Sequence, residues 1–213
     1  AQAKDGEAYY NKHNVTIEKY QKFLYTVSGR QVADIFSANY KLKTLFFRRL
    51  VTQQVQYVLG NGLFLNDTAN KEKLGRAFDT KLQKLAKMSM AQGQAFGFWN
   101  YDHLEVFGFA DTATDAGFCP LYDEETAQLR AGLRFWSKKI GKKTLVRFTL
   151  YEEDGITEYK KFDGKIEELT PKKPYKTITK STAIGITEEE GENYGTLPII
   201  PLYCNDSLES ELV

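Results

Sequence analysis

The sequence is poor in the residues that do chemistry: two histidines and two cysteines in 213 positions. Cys119 and Cys204 lie far apart and no CxxC is present, which excludes a framework of bridges and a thiolate zinc site. The expectation is two free, buried or half-buried thiols in a reducing compartment, with a single long-range disulfide as the alternative. His13 and His103 have no ligand-type neighbour at metal-binding spacing, and His103 falls in an apparent hairpin turn. The serine-hydrolase GxSxG, the P-loop and the dinucleotide GxGxxG are all missing. No sign of charge dominates either: 29 Lys and Arg stand against 28 Asp and Glu. That balance argues against a dedicated nucleic-acid binder, so any DNA contact must come from a local patch or from many copies. The first residues, AQAKDGEAYY, lack the apolar stretch of a secretory signal.

What is present is aromatic. Phe, Tyr and Trp make up 14% of the chain, which favours β-structure or a large interface. A hydrophobic share of 42% is enough for a real core in a chain of this length.

The longest stretch without proline or internal glycine is NYKLKTLFFRRLVTQQVQYVLGNG, residues 39–62. Asn39 has N-cap chemistry and Gly60-Asn61-Gly62 has C-cap chemistry, so the stretch predicts a long central helix over 39–60. Leu42, Phe46 and Leu50 share one side, and Phe47, Val51, Val55 and Val58 share another, so cover on both sides is expected. Its lysines, arginines and glutamines are too frequent for a membrane span. A second helix is predicted from Lys71 to Gln92, capped by Asn70, weakened at Gly75 and ended by Gly93. Before them, Val15 to Tyr25 has near-helical spacing until Val27-Ser28-Gly29 interrupts it. Leu63-Phe64-Leu65 reads as a short strand.

The apolar period then changes from 3.6 to 2. Residues 95–101 and 104–109 read as a hairpin, and Phe118–Tyr122 as an edge strand because of Pro120. Residues 129–169 alternate as an antiparallel meander with turns at 139–142, 154–155 and 163–164. Residues 170–195 are polar and pattern-poor, so a long excursion is expected there. Leu197 to Cys204 is a short buried strand, and NDSLESELV, residues 205–213, resembles the start of a helix. The fold class is α+β, with N-terminal helices packed against a mostly antiparallel sheet. Its two parts are a helical segment 1–92 and a β-rich segment 93–213, together forming one continuous domain.

The polar groupings are bland. Asp123-Glu124-Glu125 and Glu188-Glu189-Glu190 are the carboxylate runs, and runs of this kind are normally solvated. The best basic grouping holds Lys41, Lys43, Arg48 and Arg49, of which Lys41, Arg48 and Arg49 are the candidate phosphate contacts if DNA is touched at all. No catalytic, cofactor-binding or metal-binding residue stands out, and an assembly component fits better than an enzyme.

The order of landmarks adds a family. Tyr9-Tyr10 precedes a helix ending Tyr57-Val58-Leu59-Gly60, and a second helix leads into Ala91-Gln92-Gly93-Gln94-Ala95-Phe96-Gly97-Phe98. Pro120-Leu121-Tyr122-Asp123 follows, then LRAGLRFW at 129–136 and GTLPIIPLY at 195–203. This order resembles the portal proteins of tailed bacteriophages, in the branch typified by phage SPP1. The resemblance implies a structural, non-enzymatic subunit of a ring at one capsid vertex, through which DNA is packaged and ejected. It implies self-association and contact with the capsid or scaffolding protein, with terminase, with head-completion or tail adaptors and with viral DNA. It implies no membrane, no cofactor, and a place in the virion after assembly in the host cytoplasm. Family members carry a stem helix, a clip, a tunnel loop and a crown, none of which matches these 213 residues, so the resemblance places the chain in the outer wing. The alternatives from other classes are a Mg-dependent nucleic-acid-processing enzyme using the carboxylate runs and a non-viral protein-binding adaptor.

Overall fold

The computed structural model describes residues 2–110, 116–181 and 187–212. Helix accounts for 24% and strand for 40%, an α+β protein dominated by antiparallel pairing. Three layers stack in order: helices, a three-stranded sheet and a five-stranded sheet.

The helical layer holds α1 (Gln2–Tyr10), α2 (Val15–Lys19), α3 (Phe46–Leu59), α4 (Thr68–Lys73) and α5 (Phe78–Gln92). α5 is its centre, with α1 and α3 against one side and the three-stranded sheet against the other. The central helix is shorter than 39–60, because residues 39–45 are not helical. They form an extended strap, held by Lys43 Nζ on Glu18 Oε1 at 2.6 Å, by Lys41 on the Glu18 carbonyl, and by Asn39 Nδ2 on the Tyr20 carbonyl. Those long-range bonds outcompete the local helix preference, and α3 begins with no side-chain cap. Nor is α3 covered on both sides. Only Val51 and Val55 are buried, and Phe46 is 68% exposed.

The predicted 71–92 helix is two helices. Gly75 adopts φ +80, which the right-handed helix cannot accommodate, so the chain turns between α4 and α5. The cap of the first piece is Asp67, which accepts from Ala69 N at 2.9 Å, and Gly93 at φ 88 ends the second as expected. Residues 23–33 form a small hairpin instead of a helix end: β1 (Phe23–Tyr25) pairs with β2 (Gln31–Ala33). Thr26 closes it, its hydroxyl accepting from Arg30 N. No strand forms at 63–65.

The three-stranded sheet has the order β12-β3-β4, with β3 (Gln94–Asn100), β4 (His103–Gly108) and β12 (Ile199–Tyr203). The alternating 95–101 and 104–109 pattern produces this hairpin, turning at Tyr101-Asp102. The five-stranded sheet is a meander, in order β5 (Ala116–Tyr122), β6 (Leu129–Ile140), β7 (Lys143–Glu152), β8 (Gly155–Phe162) and β9 (Lys165–Lys173). Each predicted turn of the 129–169 meander is present. The excursion at 170–195 is more ordered than its composition suggests, since β10 (Lys176–Ser181) pairs with β11 (Thr187–Glu192). Tyr175 and Asn193 anchor its base: Tyr175 Oη donates to the Glu152 carbonyl at 2.6 Å and Asn193 Nδ2 to the Asp154 carbonyl at 2.9 Å. The end of the chain forms turns, not a helix, and Glu211 N donates to the Met90 carbonyl on α5.

Prolines lie on three outermost strands of the two sheets: Pro120 on β5, Pro171 on β9 and Pro201 on β12. The outer side of β4 runs beside β5.

Between the sheets lies the core. Phe96, Phe98, Phe107, Phe118, Tyr151 and Ile199 are buried together. The ring centroids of Phe96 and Phe118 are 4.5 Å apart and those of Phe98 and Tyr151 are 4.9 Å apart, the spacing at which aromatic pairs add to area burial. Gly132 on β6 makes room for the Phe118 ring, which a Cβ there would meet. On the far side of the three-stranded sheet, α5 is fastened by polar groups. Gln92 donates Nε2 to the Ala110 carbonyl at 2.7 Å and accepts from Ala110 N at 3.1 Å, and Ser89 Oγ donates to the Leu202 carbonyl at 2.8 Å.

Removing a fully buried ring costs about 3–5 kcal/mol, whereas an exposed side chain costs within about 0.5 kcal/mol. Phe96→Ala is therefore expected to lower the unfolding free energy by about 3–5 kcal/mol, and Phe46→Ala to be nearly silent. Denaturant unfolding of the two variants distinguishes them.

Candidate functional site

The described residues offer chemistry little to work with. No group of three or more His, Cys, Asp or Glu among them is arranged to hold a metal ion. His103 opens β4 just after the β3–β4 turn, its Nδ1 2.8 Å from exposed Asp102 and its Nε2 3.6 Å from half-buried Glu105. The carboxylate run at 123–125 is a structural turn. Asp123 accepts from the backbone of Glu125 and Thr126 and from the Thr126 hydroxyl, and Arg130 lies 3.3 Å away. Those donors, Thr126 first, hold its carboxyl below the ordinary carboxylate value. The run at 188–190 belongs to β11.

Cys119 and Cys204 are free, as expected, although Cys119 is exposed and not half-buried. Burial and the 3.0 Å hydrogen bond to Glu211 Oε1 push the Cys204 thiol up to about 12, far from the thiolate form at neutral pH.

The surface is informative where the core is not. α3 rests on α5 through Val51 and Val55, and its other face is open. Tyr57 on that face is 92% exposed and Leu50 54%. The preceding strap adds Tyr40 and Leu42, both more than 80% exposed, and the 23–33 hairpin adds Tyr25 and Val27. Large uncovered apolar side chains in such number on one helix and the segments that precede it are a feature of interaction surfaces.

The face is held in place from α5. Asp79 Oδ1 accepts from Leu63 N at 2.9 Å, its Oδ2 lies 3.2 Å from Lys71 Nζ, and Gln83 Nε2 donates to the Leu59 carbonyl at 2.9 Å. These bonds tie down the turn that follows α3. In the sequence the only signal for them is an acid in the first turn of a helix, without a hint of its partner.

Lys41, Arg48 and Arg49 are not brought together as one stripe. Lys41 lies in the strap, on the Glu18 carbonyl, while Arg48 sits on α3 with its guanidinium 5.4 Å from the Tyr10 ring centre. Arg49 is exposed on the same helix.

The chain as a whole, helices and both sheets included, fits one family. Residues 2–212 match the phage portal protein family, SPP1 Gp6-like. The chain belongs to that family. It is a structural portal subunit, and portal subunits associate in a ring and with the capsid at the portal vertex of the virion. The open apolar face of α3 is thus found on a subunit of an oligomer. No curated protein matches the chain. No helix among the described residues is long and apolar enough to cross a membrane.

The Asp79 latch has a pH signature. Its carboxyl is held below the ordinary value of 3.8, by the Leu63 N–H first and by Lys71 second. A depressed folded-state value stabilises the fold above the unfolded value and is lost as pH falls through the folded one. Thermal midpoints should therefore fall as pH drops below about 4, and Asp79→Asn should remove part of that fall. An identical pH dependence in the variant would show that the latch contributes nothing.

Proposed function

We propose that these residues form the outer wing of a portal subunit, and that the open face of α3 is a wing contact within the ring. The observation that carries this reading is the apolar, uncovered side of a helix in a chain from a ring-forming family. A closed ring needs two complementary faces on every subunit, and the apolar helix face supplies one of them. In this reading the ring admits viral DNA and docks terminase during packaging in the host cytoplasm. It later joins head-completion or tail-adaptor proteins and contacts the capsid or scaffolding protein.

The test is assembly. In ring-forming preparations, Leu50→Glu combined with Tyr57→Glu is expected to shift the protein from rings toward monomers. Both side chains are exposed, so stability should change by only about 0.5 kcal/mol. Light scattering reads the mass, and thermal unfolding controls for the fold. Rings that persist at the wild-type proportion would remove α3 from the interface.

The same reading includes weak, non-specific contact with DNA. Lys41, Arg48 and Arg49 are the residues it names. Arg48 and Arg49 stand one after the other on α3, and the net charge of +1 leaves little long-range attraction. Duplex DNA should bind the chain without sequence preference, with Kd of about 10⁻⁴–10⁻⁶ M at physiological salt. Arg48→Ala with Arg49→Ala should reduce the salt slope by about one for each phosphate that is no longer neutralised. A tighter, sequence-dependent affinity measured by anisotropy would overturn this part.

A further inference from the structure

The far end of the five-stranded sheet is unlike the rest of the molecule. The β6–β7 and β8–β9 turns lie side by side there, joined by Lys143 Nζ on Asp163 Oδ2 at 2.8 Å. Residues 138–147 and 160–167 together hold eight Lys and Arg against two acids, in a chain whose net charge is only +1. The positive charge of the protein is thus concentrated on this tip.

Strand register sorts the tip into two faces, since successive side chains point to opposite sides. Trp136 stands opposite Arg147, Lys138 opposite Leu145, Ile140 opposite Lys143, Arg147 opposite Lys160 and Phe162 opposite Lys165. All of these share the face that, nearer the middle of the sheet, carries Tyr151 and packs on the three-stranded sheet. Beyond Trp136 no described element covers that face, and Ile140 is 51% exposed. Its cations are Lys138, Lys143, Arg147, Lys160 and Lys165. Lys143 and Lys160 have acidic partners, Asp163 and Glu167, whereas Lys138, Arg147 and Lys165 have no carboxylate within ion-pairing distance among the described residues. Between the cations, Ile140 and Leu145 line two shallow hollows, one bordered by Trp136 and the other by Phe162.

We infer that this face docks a segment of a partner protein that alternates carboxylates with apolar side chains. Charge complementarity selects an anion, and the hollows select one with apolar side chains to bury. Nucleic acid fits less well. Bases would need open ring faces to stack on, but Arg134 lies 5.4 Å from the Trp136 ring centre and Lys143 lies 5.5 Å from that of Phe162. The site is distant in sequence and sheet from α3, so the inference stands or falls apart from the ring contact.

A fluorescent peptide of about 15 residues, with Leu and Glu at helical spacing, is the probe. It should bind with micromolar, salt-sensitive affinity, and an all-Glu peptide of equal length should bind at least tenfold more weakly. Lys138→Glu with Lys165→Glu should weaken the Leu-Glu peptide more than tenfold. Lys139→Glu with Lys161→Glu makes the same charge change on the opposite face of the sheet and should leave affinity within about twofold. Should the first pair fail to fold, Lys138→Gln alone provides a milder change, with a several-fold loss expected. The inference is overturned if the two pairs weaken binding equally, if the Leu-Glu peptide does not bind, or if oligo-dT of about 20 nucleotides binds more tightly than the peptide.

Discussion

The layered fold depends on rings meeting between two sheets. Phe96 and Phe98 project from β3 and Phe107 from β4, and they reach Phe118 and Tyr151 on the larger sheet. Neither sheet could hold its inner face dry alone, since three short strands bury little and the meander is open on both sides. The cluster accounts for part of the high aromatic content: Phe96, Phe98, Phe107, Phe118 and Tyr151 are over 90% buried, whereas Tyr25, Tyr40, Phe46 and Tyr57 are exposed. It also explains Gly132, where any side chain would displace Phe118. Tyr151 shows the dryness of the site: burial pushes its hydroxyl up to about 12, although Arg134 beside it pulls the other way.

The other joint of the molecule adds polar pins to apolar packing, in which Leu85 of α5 lies near Gly97 and Leu104 of the sheet. Between α5 and the three-stranded sheet, Gln92 makes two hydrogen bonds to the Ala110 backbone and Ser89 holds the Leu202 carbonyl. Both side chains are buried and satisfied, and truncating either would leave buried backbone groups without a partner. An apolar joint tolerates sliding, whereas directional bonds at two points fix the helix in register with the strands. That register sets the direction in which the open face of α3, resting on α5, points.

What can be read from the sequence follows the strength of the local pattern. The meander at 129–169 and the hairpin at 95–109 are legible because alternation and turn residues agree there. The strap at 39–45 is not, because its conformation is dictated by Glu18 and Tyr20, some twenty residues away, and local propensity carries no trace of them. At Gly75 the cost to a helix is readable from composition, while the turn that a left-handed residue makes possible is not. The expected burial of Phe46 fails for a related reason. Periodicity reveals that a side is apolar, but not whether the cover comes from the same chain. The open apolar face is therefore visible in the sequence, yet periodicity assigns it to the wrong place, the core. Its latch, Asp79 with Leu63 and Lys71, cannot be seen without the turn that brings them together.

The prolines on β5, β9 and β12 bear on how such subunits meet. A strand edge with all its amides free will accept another strand of almost any sequence, and growth by that route has no natural end. Proline removes one amide donor and interrupts the ladder. Subunits crowded side by side at one vertex would otherwise be at high risk of zipping into fibres. With these three edges interrupted, recognition between neighbours shifts toward side chains, whose shapes define an angle as well as an affinity. A fixed angle repeated from subunit to subunit closes into a circle when it divides the full turn with no rise along the axis and winds into a helix otherwise, so silencing the strand edges leaves that outcome to the side-chain interface.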